Sequence, residues 1–287
     1  MKKSIINRIC VVICMILVLA VLYLLTAFFG NPISPVLAKH NAQKYLSHNH
    51  GGEEFQIERV YYDLKSGGYN VDLHSPTSPD SYFTIYFDAL GRYKYDTYES
   101  ITNGSNTYFR LYSAYSALID RAFEDVLPFD VSIAFGELAV EGQYEVFTYI
   151  DENGQAQTYT LGDGSGLYIA SLILDQEYDI QELGRDYGIL TIYIHDPIVT
   201  TERTAELLLE VATYLDQLDI PFHAIHFHHC EPRNNESQNL GNQITLYYFP
   251  KAYIYQDNLP EKIEEYRTIT QEHYARQDGY KSNMDIP

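Results

Sequence analysis

The residues best suited to chemistry are four histidines and one cysteine that stand close together between Phe222 and Cys230. If this segment is a β-strand, successive side chains point to opposite faces, so His226, His228 and Cys230 share one face. Two imidazoles and a thiolate at alternate positions form a ligand set for zinc or copper. They leave a fourth coordination position open, as a catalytic metal requires. The spacing therefore indicates His226, His228 and Cys230 as candidate metal ligands.

The same segment also fits an ordinary half-exposed strand that ends in a polar loop. Nothing else in the sequence marks a fourth ligand or a general base, and there is no His-Glu-x-x-His motif. His195-Asp196 lies at the end of another expected strand and would approach the cluster if the two strands are neighbours. Clustered histidines would also gain positive charge near pH 6. The sequence identifies no catalytic residue and no cofactor, and it leaves the choice between a metal site and a plain strand open.

The elements that would position the histidines form a distal α+β domain over 128–287. We expect the strand Ile189–Ile194, the helix Thr200–Asp216 and the strand Phe222–His228 to form a crossover unit with two parallel strands. Thr200 or Thr201 would cap that helix. The other expected elements are a β-hairpin (Tyr144–Ile150 with Gln157–Leu161), a short helix (Asp179–Asp186), a strand (Ile244–Phe249) and a final helix (Pro260 to about Arg276).

A membrane-proximal domain over 31–127 precedes it. Its polar and apolar residues alternate with a period of two, which predicts strands with one buried and one wet face. The expected order is helix, four strands, helix, packed as a meander whose helices cover one face. The expected elements are Pro35–Leu46, Phe55–Tyr62, Tyr69–Leu73, Phe83–Phe87, Tyr93–Thr97 and Asn106–Phe123.

The first thirty residues have the composition of a transmembrane signal anchor. Ile9 to Phe29 is a run of 21 residues without a charge, and as a helix it is about 31 Å long, enough to cross a bilayer core. Lys2, Lys3 and Arg8 precede the run, so the positive-inside rule places the N-terminus in the cytoplasm and the rest of the chain outside. A cleaved signal peptide is the alternative, but its apolar region would be about 7–15 residues long.

The first thirty residues and the rest of the chain differ in charge. The net charge is −20, but residues 31–287 carry 16 basic and 39 acidic residues, which gives them a net charge of −23. A phosphate backbone would be repelled, so nucleic acid is excluded as a partner by default, whereas cations would be attracted. Cys230 is the only cysteine after residue 30, so the exported part has no internal disulfide and depends on its apolar cores for stability.

Several short phrases carry a family resemblance. They are Gly30-Asn31-Pro32-Ile33-Ser34, Ser66-Gly67-Gly68-Tyr69, Ser75-Pro76-Thr77-Ser78-Pro79-Asp80, Lys94-Tyr95-Asp96-Thr97-Tyr98, and Glu177-Tyr178-Asp179-Ile180 with Tyr187-Gly188. With these phrases the chain resembles the YfjL-like family of single-pass surface proteins of Gram-positive-type bacteria. The resemblance implies an N-terminal and a C-terminal domain and brings no catalytic residues with it. The element order of the first domain is also similar to that of cystatin-like and PepSY-like modules.

Taken together, the sequence predicts an α+β protein: a cytoplasmic stub and transmembrane helix over 1–30, followed by two small domains. Each domain is expected to be a mainly antiparallel sheet with helices on one face. We expect a membrane-anchored, extracytoplasmic binding or regulatory module without catalytic activity, whose partners are envelope proteins or peptides. The alternative is a metal-binding protein or metal-dependent hydrolase that uses His226, His228 and Cys230.

Overall fold

The computed structural model describes residues 2–52, 54–124, 129–142, 146–150, 156–160, 164–232 and 242–267, and the side chains of residues 2–10, 22, 27, 146–150 and 156–160 lie outside that description. The chain is α+β, with two four-stranded sheets and helices. It divides into two compact units. The first unit is Met1–Thr107 with Ile173–Asp175, and the second is Tyr108–Leu172 with Gln176–Pro287.

Two helices open the first unit: α1 (Lys2–Phe29) and α2 (Ser34–Asn49). Among the residues whose side chains are described, no helix is both long enough and apolar enough to cross a membrane. In α1 these residues do not include 2–10, 22 and 27. Asn31 fixes the junction between α1 and α2. Its backbone N–H donates to the hydroxyl of Tyr69 at 2.7 Å, and that hydroxyl donates back to the carbonyl of Asn31 at 2.9 Å. Its side-chain oxygen accepts the N–H of Ser34, the first residue of α2, at 2.8 Å.

The sheet of the first unit is the expected meander. Its strands are β1 (Gln56–Asp63), β2 (Gly68–His74), β3 (Tyr82–Phe87) and β4 (Tyr93–Asp96). They lie side by side in chain order, and every neighbouring pair is antiparallel. One face carries the buried side chains of β2 and β3, which pack with Ala38 and Ala42 of α2. The short helix α3 (Glu99–Thr102) follows and was not expected from the sequence.

A pair of aspartates ties residues 173–175 into the first unit. The carboxylate of Asp80 is fully buried and accepts the hydroxyl of Thr107 at 2.8 Å and the N–H of Asp175 at 3.0 Å. In return, the carboxylate of Asp175 accepts the N–H of Asp80 at 3.0 Å. A buried carboxylate is tolerated when donors surround it in this way. Asp80 is therefore a structural residue of this unit.

We expect Asp80→Ala to destabilise the first unit by about 2–4 kcal/mol, because the buried hydroxyl of Thr107 and the partly buried N–H of Asp175 lose their acceptor. Urea unfolding, followed by hydrogen exchange in peptides that cover β2 and β3, measures this change. Glu54→Ala is the matched control, since Glu54 is exposed, and its effect should stay within about 0.5 kcal/mol. Equal stability of the two variants would contradict a structural role for Asp80.

The second unit contains the other four-stranded sheet. Its strands are β5 (Val131–Leu138), β8 (Gly188–His195), β9 (Ala224–Cys230) and β10 (Gln243–Pro250), in the order β10-β9-β8-β5. β8 and β9 are parallel and the other two pairs are antiparallel, which confirms the expected crossover unit. A separate hairpin is formed by β6 (Val146–Ile150) and β7 (Ala156–Thr160), as expected, although its turn at 151–155 lies outside the described residues.

Helices supply one side of this core. They are α4 (Ser105–Phe123), α5 (Ile180–Tyr187), α6 (Thr201–Gln217), α7 (Lys251–Ile254) and a helix α8 over 259–267. Thr200 caps α6 by accepting the N–H of Arg203 at 3.2 Å. The expected continuation of α8 to Arg276 lies outside the described residues. The stripe of α4 at Leu111, Tyr115 and Ile119 packs into this second core, whereas the sequence pattern predicted that this helix belongs to the domain over 31–127.

Candidate functional site

The candidate site is the face of the second sheet that carries the predicted histidines. Ile225 and Phe227 belong to the helix-covered core, and His229 contacts Thr204 of α6, with 2.8 Å between Nδ1 and Oγ1. Because side chains alternate along a strand, His226, His228 and Cys230 lie on the opposite face. The predicted division of the strand into two faces is therefore confirmed. We call the face that carries these three residues the histidine face.

His226 is held by the strand that follows it in the sheet. Its ring is 9% exposed, and Nδ1 accepts the backbone N–H of Tyr248 at 3.3 Å. The ring of Tyr248 stands edge-on to the imidazole, with 4.4 Å between centroids. Tyr248 has a φ of 48° and lies within the β-bulge of β10 between Leu246 and Phe249, which is how its N–H reaches across to the histidine. This bond uses the lone pair of Nδ1, so the proton of the neutral ring belongs on Nε2.

His228 is enclosed by aromatic rings and a hydroxyl. It is 6% exposed and stacks on Tyr193 of β8, with 3.9 Å between centroids and 6° between planes. Tyr247 closes the other side, edge-on at 5.5 Å. Nδ1 lies 3.2 Å from the hydroxyl of Thr245. The two histidines are thus packed as aromatic side chains of a sheet face, and the Nδ1 atom of each is in hydrogen-bond contact with β10.

Cys230 lies at the end of β9, where His195 of β8 is its partner in the parallel register. The expected approach of His195 to the cluster is therefore confirmed. Nε2 of His195 lies 2.9 Å from the hydroxyl of Ser132, which sits at a bulge in β5. Nδ1 of His195 is buried and has no hydrogen-bond partner within the described part of the chain. A serine and a histidine in contact are two members of a hydrolytic triad, but a carboxylate on Nδ1 is what orients such a base.

Burial lowers the pKa of three histidines of β9, which are His226, His228 and His229. It lowers the pKa of His226 to about 4, with His228 as a second cause, and it lowers the pKa of His228 to about 4. Burial also lowers the pKa of His229. These directions are opposite to the expected gain of charge near pH 6, because an imidazolium ion in this packed layer would lose its hydration.

Metal binding would have to compete with these contacts. A metal needs a free lone pair on each imidazole, and Nδ1 of His226 already accepts the N–H of Tyr248. Among the residues that the structure describes, no group of three or more His, Cys, Asp or Glu side chains is placed to hold a metal ion. The metal assignment of His226, His228 and Cys230 stays a prediction, and its test is direct.

We expect the purified full-length protein to carry less than about 0.1 equivalent of zinc or copper after dialysis against a metal-buffered solution. The reason is that a metal on His226 would have to compete with the hydrogen bond that Nδ1 accepts from the N–H of Tyr248. Elemental analysis measures the bound metal, with Cys230→Ser as the matched variant. About one equivalent in the parent protein that disappears in the variant would establish the metal site instead.

The residues that surround the histidines were not foreseen. Tyr193, Tyr247 and Thr245 meet His228 only because of the strand register, which pairs Tyr193 with His228 and His228 with Thr245. The sequence indicates the alternation of each strand but does not fix how two strands align. The expected parallel pairing of β8 and β9 was the one available signal, because it made the two strands neighbours.

Comparison with known proteins agrees with the two-part organisation. The family model described as "YfjL-like, N-terminal domain" matches residues 2–97, and the one described as "YfjL-like C-terminal domain" matches residues 114–264. None of the curated proteins and none of the solved structures gives a significant match. The two family models together cover nearly the whole chain, in the order that their descriptions state. The chain therefore belongs to the YfjL-like family.

Proposed function

We propose that this protein is a single-pass, membrane-anchored extracytoplasmic module that binds envelope proteins or peptides and has no catalytic activity of its own. The observation that carries the binding role is the apolar surface of β5. Ile133 is 48% exposed and Phe135 is 37% exposed. They alternate with Ala134 and Gly136, and the latter packs against Tyr115 and Ile119 of α4. The two large side chains therefore lie on the side away from the helices, where a partner can cover them.

The anchor is proposed from the sequence. The run Ile9–Phe29 has no charge, and three basic residues precede it. The described side chains of α1 from Val11 onward are exposed and almost all apolar. A helix that is apolar on all sides needs a nonaqueous environment. An extracytoplasmic location of both units follows from the orientation of such an anchor.

Thiol labelling on intact cells tests the location. In a Cys230→Ser background, Asp257→Cys adds a thiol to the second unit at an exposed position, and Lys3→Cys is the matched control on the N-terminal side of the anchor. A membrane-impermeant maleimide should label the first variant in intact cells and the second only after lysis. The reverse pattern, or labelling of neither before lysis, would contradict the proposed orientation.

Proximity labelling on intact cells tests the binding role. A peroxidase is fused to the C-terminus of the full chain, and the matched control joins residues 1–30 directly to the same enzyme. If the two units bind a partner, a small set of envelope proteins should be enriched over the control. Identical labelling by the two fusions would contradict a binding role.

A further inference from the structure

The four outer strands of the two sheets differ in how well they are protected against pairing with another strand. β1 carries a bulge and the charged pair Glu58 and Arg59. β4 has only four residues, including Lys94. β10 carries a bulge and ends in Pro250. Bulges, charges, shortness and proline are the usual protections of an edge strand.

β5 has little of this protection. It pairs with β8 on one side and lies at the edge of its sheet. Its bulge is near the start, between Val131 and Ile133, and the following residues Ile133-Ala134-Phe135-Gly136 contain no charge and no proline. Apart from the pairing with β8, no hydrogen bond to the backbone of residues 132–137 is seen within the described part of the chain, whereas the carbonyl of Leu138 accepts the hydroxyl of Tyr108 at 2.9 Å. Over 132–137, the outward-facing backbone donors and acceptors of β5 therefore have no partner among the residues that the structure describes.

The charge around β5 selects the kind of strand that would pair with it. The described segment 129–142, which contains β5, has three acidic residues and no lysine or arginine. Asp130 lies before β5, Glu137 lies within it and Glu141 follows it. A basic peptide would be attracted to this segment, whereas a second copy of the same acidic strand would be repelled. Charge therefore favours a basic partner over self-association.

We infer that β5 is a docking edge for an extended basic peptide segment of another protein, which adds to the second sheet as a fifth strand beside Ile133–Glu137. Backbone hydrogen bonds would supply the pairing, and apolar side chains of the peptide would cover Ile133 and Phe135. This inference rests on the proposed binding function and names its mode and the chemistry of its partner.

A phage-displayed library of random twelve-residue peptides, selected on the full-length protein in lipid nanodiscs, tests the inference. Selected sequences should be rich in Lys or Arg and in β-branched or aromatic residues. A synthetic copy should slow amide exchange at residues 132–137 by about tenfold or more at saturation. N-methylation of alternate residues on one face of the peptide should abolish binding, while N-methylation of the other set should not, because a strand pairs through every second residue.

Side-chain variants provide the matched comparison. The double variant Ile133→Ser, Phe135→Ser should weaken peptide binding by about tenfold or more, because both apolar contacts are lost. Ile198→Ser is the control, since Ile198 is 60% exposed elsewhere in the same unit, and it should change the dissociation constant less than about twofold. Unchanged exchange in β8 would show that the variants keep their fold.

Three results would overturn the inference. Selected peptides that protect other amides would place binding elsewhere, and failure to select any peptide would remove the docking edge. Protection of β5 that rises with protein concentration, together with a doubled mass, would show that a second copy occupies the edge. None of these results affects the comparison of the two peroxidase fusions, so the proposed binding role and this docking edge fail separately.

Discussion

Tyr115→Ala should destabilise the second unit by about 3–5 kcal/mol, since it empties a fully buried aromatic site. The hydroxyl of Tyr115 donates to the carbonyl of Pro221 at 2.8 Å. The alanine variant therefore loses this bond in addition to the buried ring, and the carbonyl is left without its donor.

Three glycines make room for the ring. Added Cβ atoms at Gly136, Gly184 and Gly188 would each meet Tyr115, and the one at Gly188 would collide with its hydroxyl. Gly188→Ala should therefore also destabilise the unit, by about 1–3 kcal/mol, because an overpacked core must shift. Gly52→Ala is the control, since its added methyl group meets nothing within 4 Å.

Urea unfolding of the second unit, read by hydrogen exchange in peptides from β8 and β9, measures these changes. A unit-specific readout is needed because two compact units need not unfold together. Tyr115→Phe separates the hydroxyl from the ring and should cost about 1–2 kcal/mol. A Tyr115→Ala protein within about 1 kcal/mol of the parent would show that the core does not depend on this side chain.

The period-two pattern of apolar residues was sufficient to predict every strand of the first sheet. It did not predict every strand of the second sheet, and β5 shows why. The strands of the meander bury their large apolar residues, so the period-two pattern marks them directly. In β5 the small residues Ala134 and Gly136 face the helices, while Ile133 and Phe135 are exposed. The small residues of β5 thus face the core and its large apolar residues face outward, which is the reverse of the usual pattern. For this reason the sequence predicted no strand at 131–138. The same inversion leaves two large apolar side chains of β5 exposed.

The candidate site was also predicted only in part. Alternation along a strand depends only on local backbone geometry, so it was sufficient to predict that His226, His228 and Cys230 share one face. It gave no measure of how far neighbouring strands would bury the rings. That burial depends on Tyr193 and Tyr248, which are distant in sequence, and it changes the expected chemistry from a charged cluster to a neutral packed layer.

Three of the segments that carry the family resemblance include a glycine at a crowded position of the backbone. Gly30 has a φ of 72°, and an added Cβ there would meet Tyr62 and Tyr69. An added Cβ at Gly68 would collide with the carbonyl of Phe87, and one at Gly188 with Tyr115. These glycines allow neighbouring segments of the chain to pack closely. The resemblance therefore predicts architecture well and says little about chemistry.

Acidification should destabilise the second unit between about pH 6.5 and pH 4 by on the order of 3 kcal/mol for each of His226 and His228. Their pKa values fall from 6.5 to about 4 in the folded chain because of burial. In this window the unfolded chain binds protons that the folded chain does not, so stability falls as the pH falls. Above pH 6.5 both imidazoles are neutral in the folded and in the unfolded state. These two residues then contribute no pH dependence to the stability.

Three neighbouring groups differ in their effect: Asp196 acts at lower pH, Glu137 has the opposite sign and His229 has the same sign. The N–H of Ile198, together with Arg203, holds the pKa of Asp196 below 3.8, so its loss of charge matters only at lower pH. Burial raises the pKa of Glu137 above 4.5; because the folded state then binds the proton more readily, this group opposes the histidines. His229 adds to their effect, since burial lowers its pKa too.

A single substitution isolates the contribution of one histidine. His228→Phe keeps an aromatic ring against Tyr193 but removes the titrating group, so the loss of stability from pH 7 to pH 4 should shrink by about 3 kcal/mol. His40→Phe is the control, because His40 is exposed and should leave the pH dependence of the second unit unchanged. The readout is the urea midpoint from exchange in β8 and β9 at each pH. If His228→Phe and the parent lose stability in parallel, His228 is not held neutral by burial, and the packed layer described for the histidine face is incorrect.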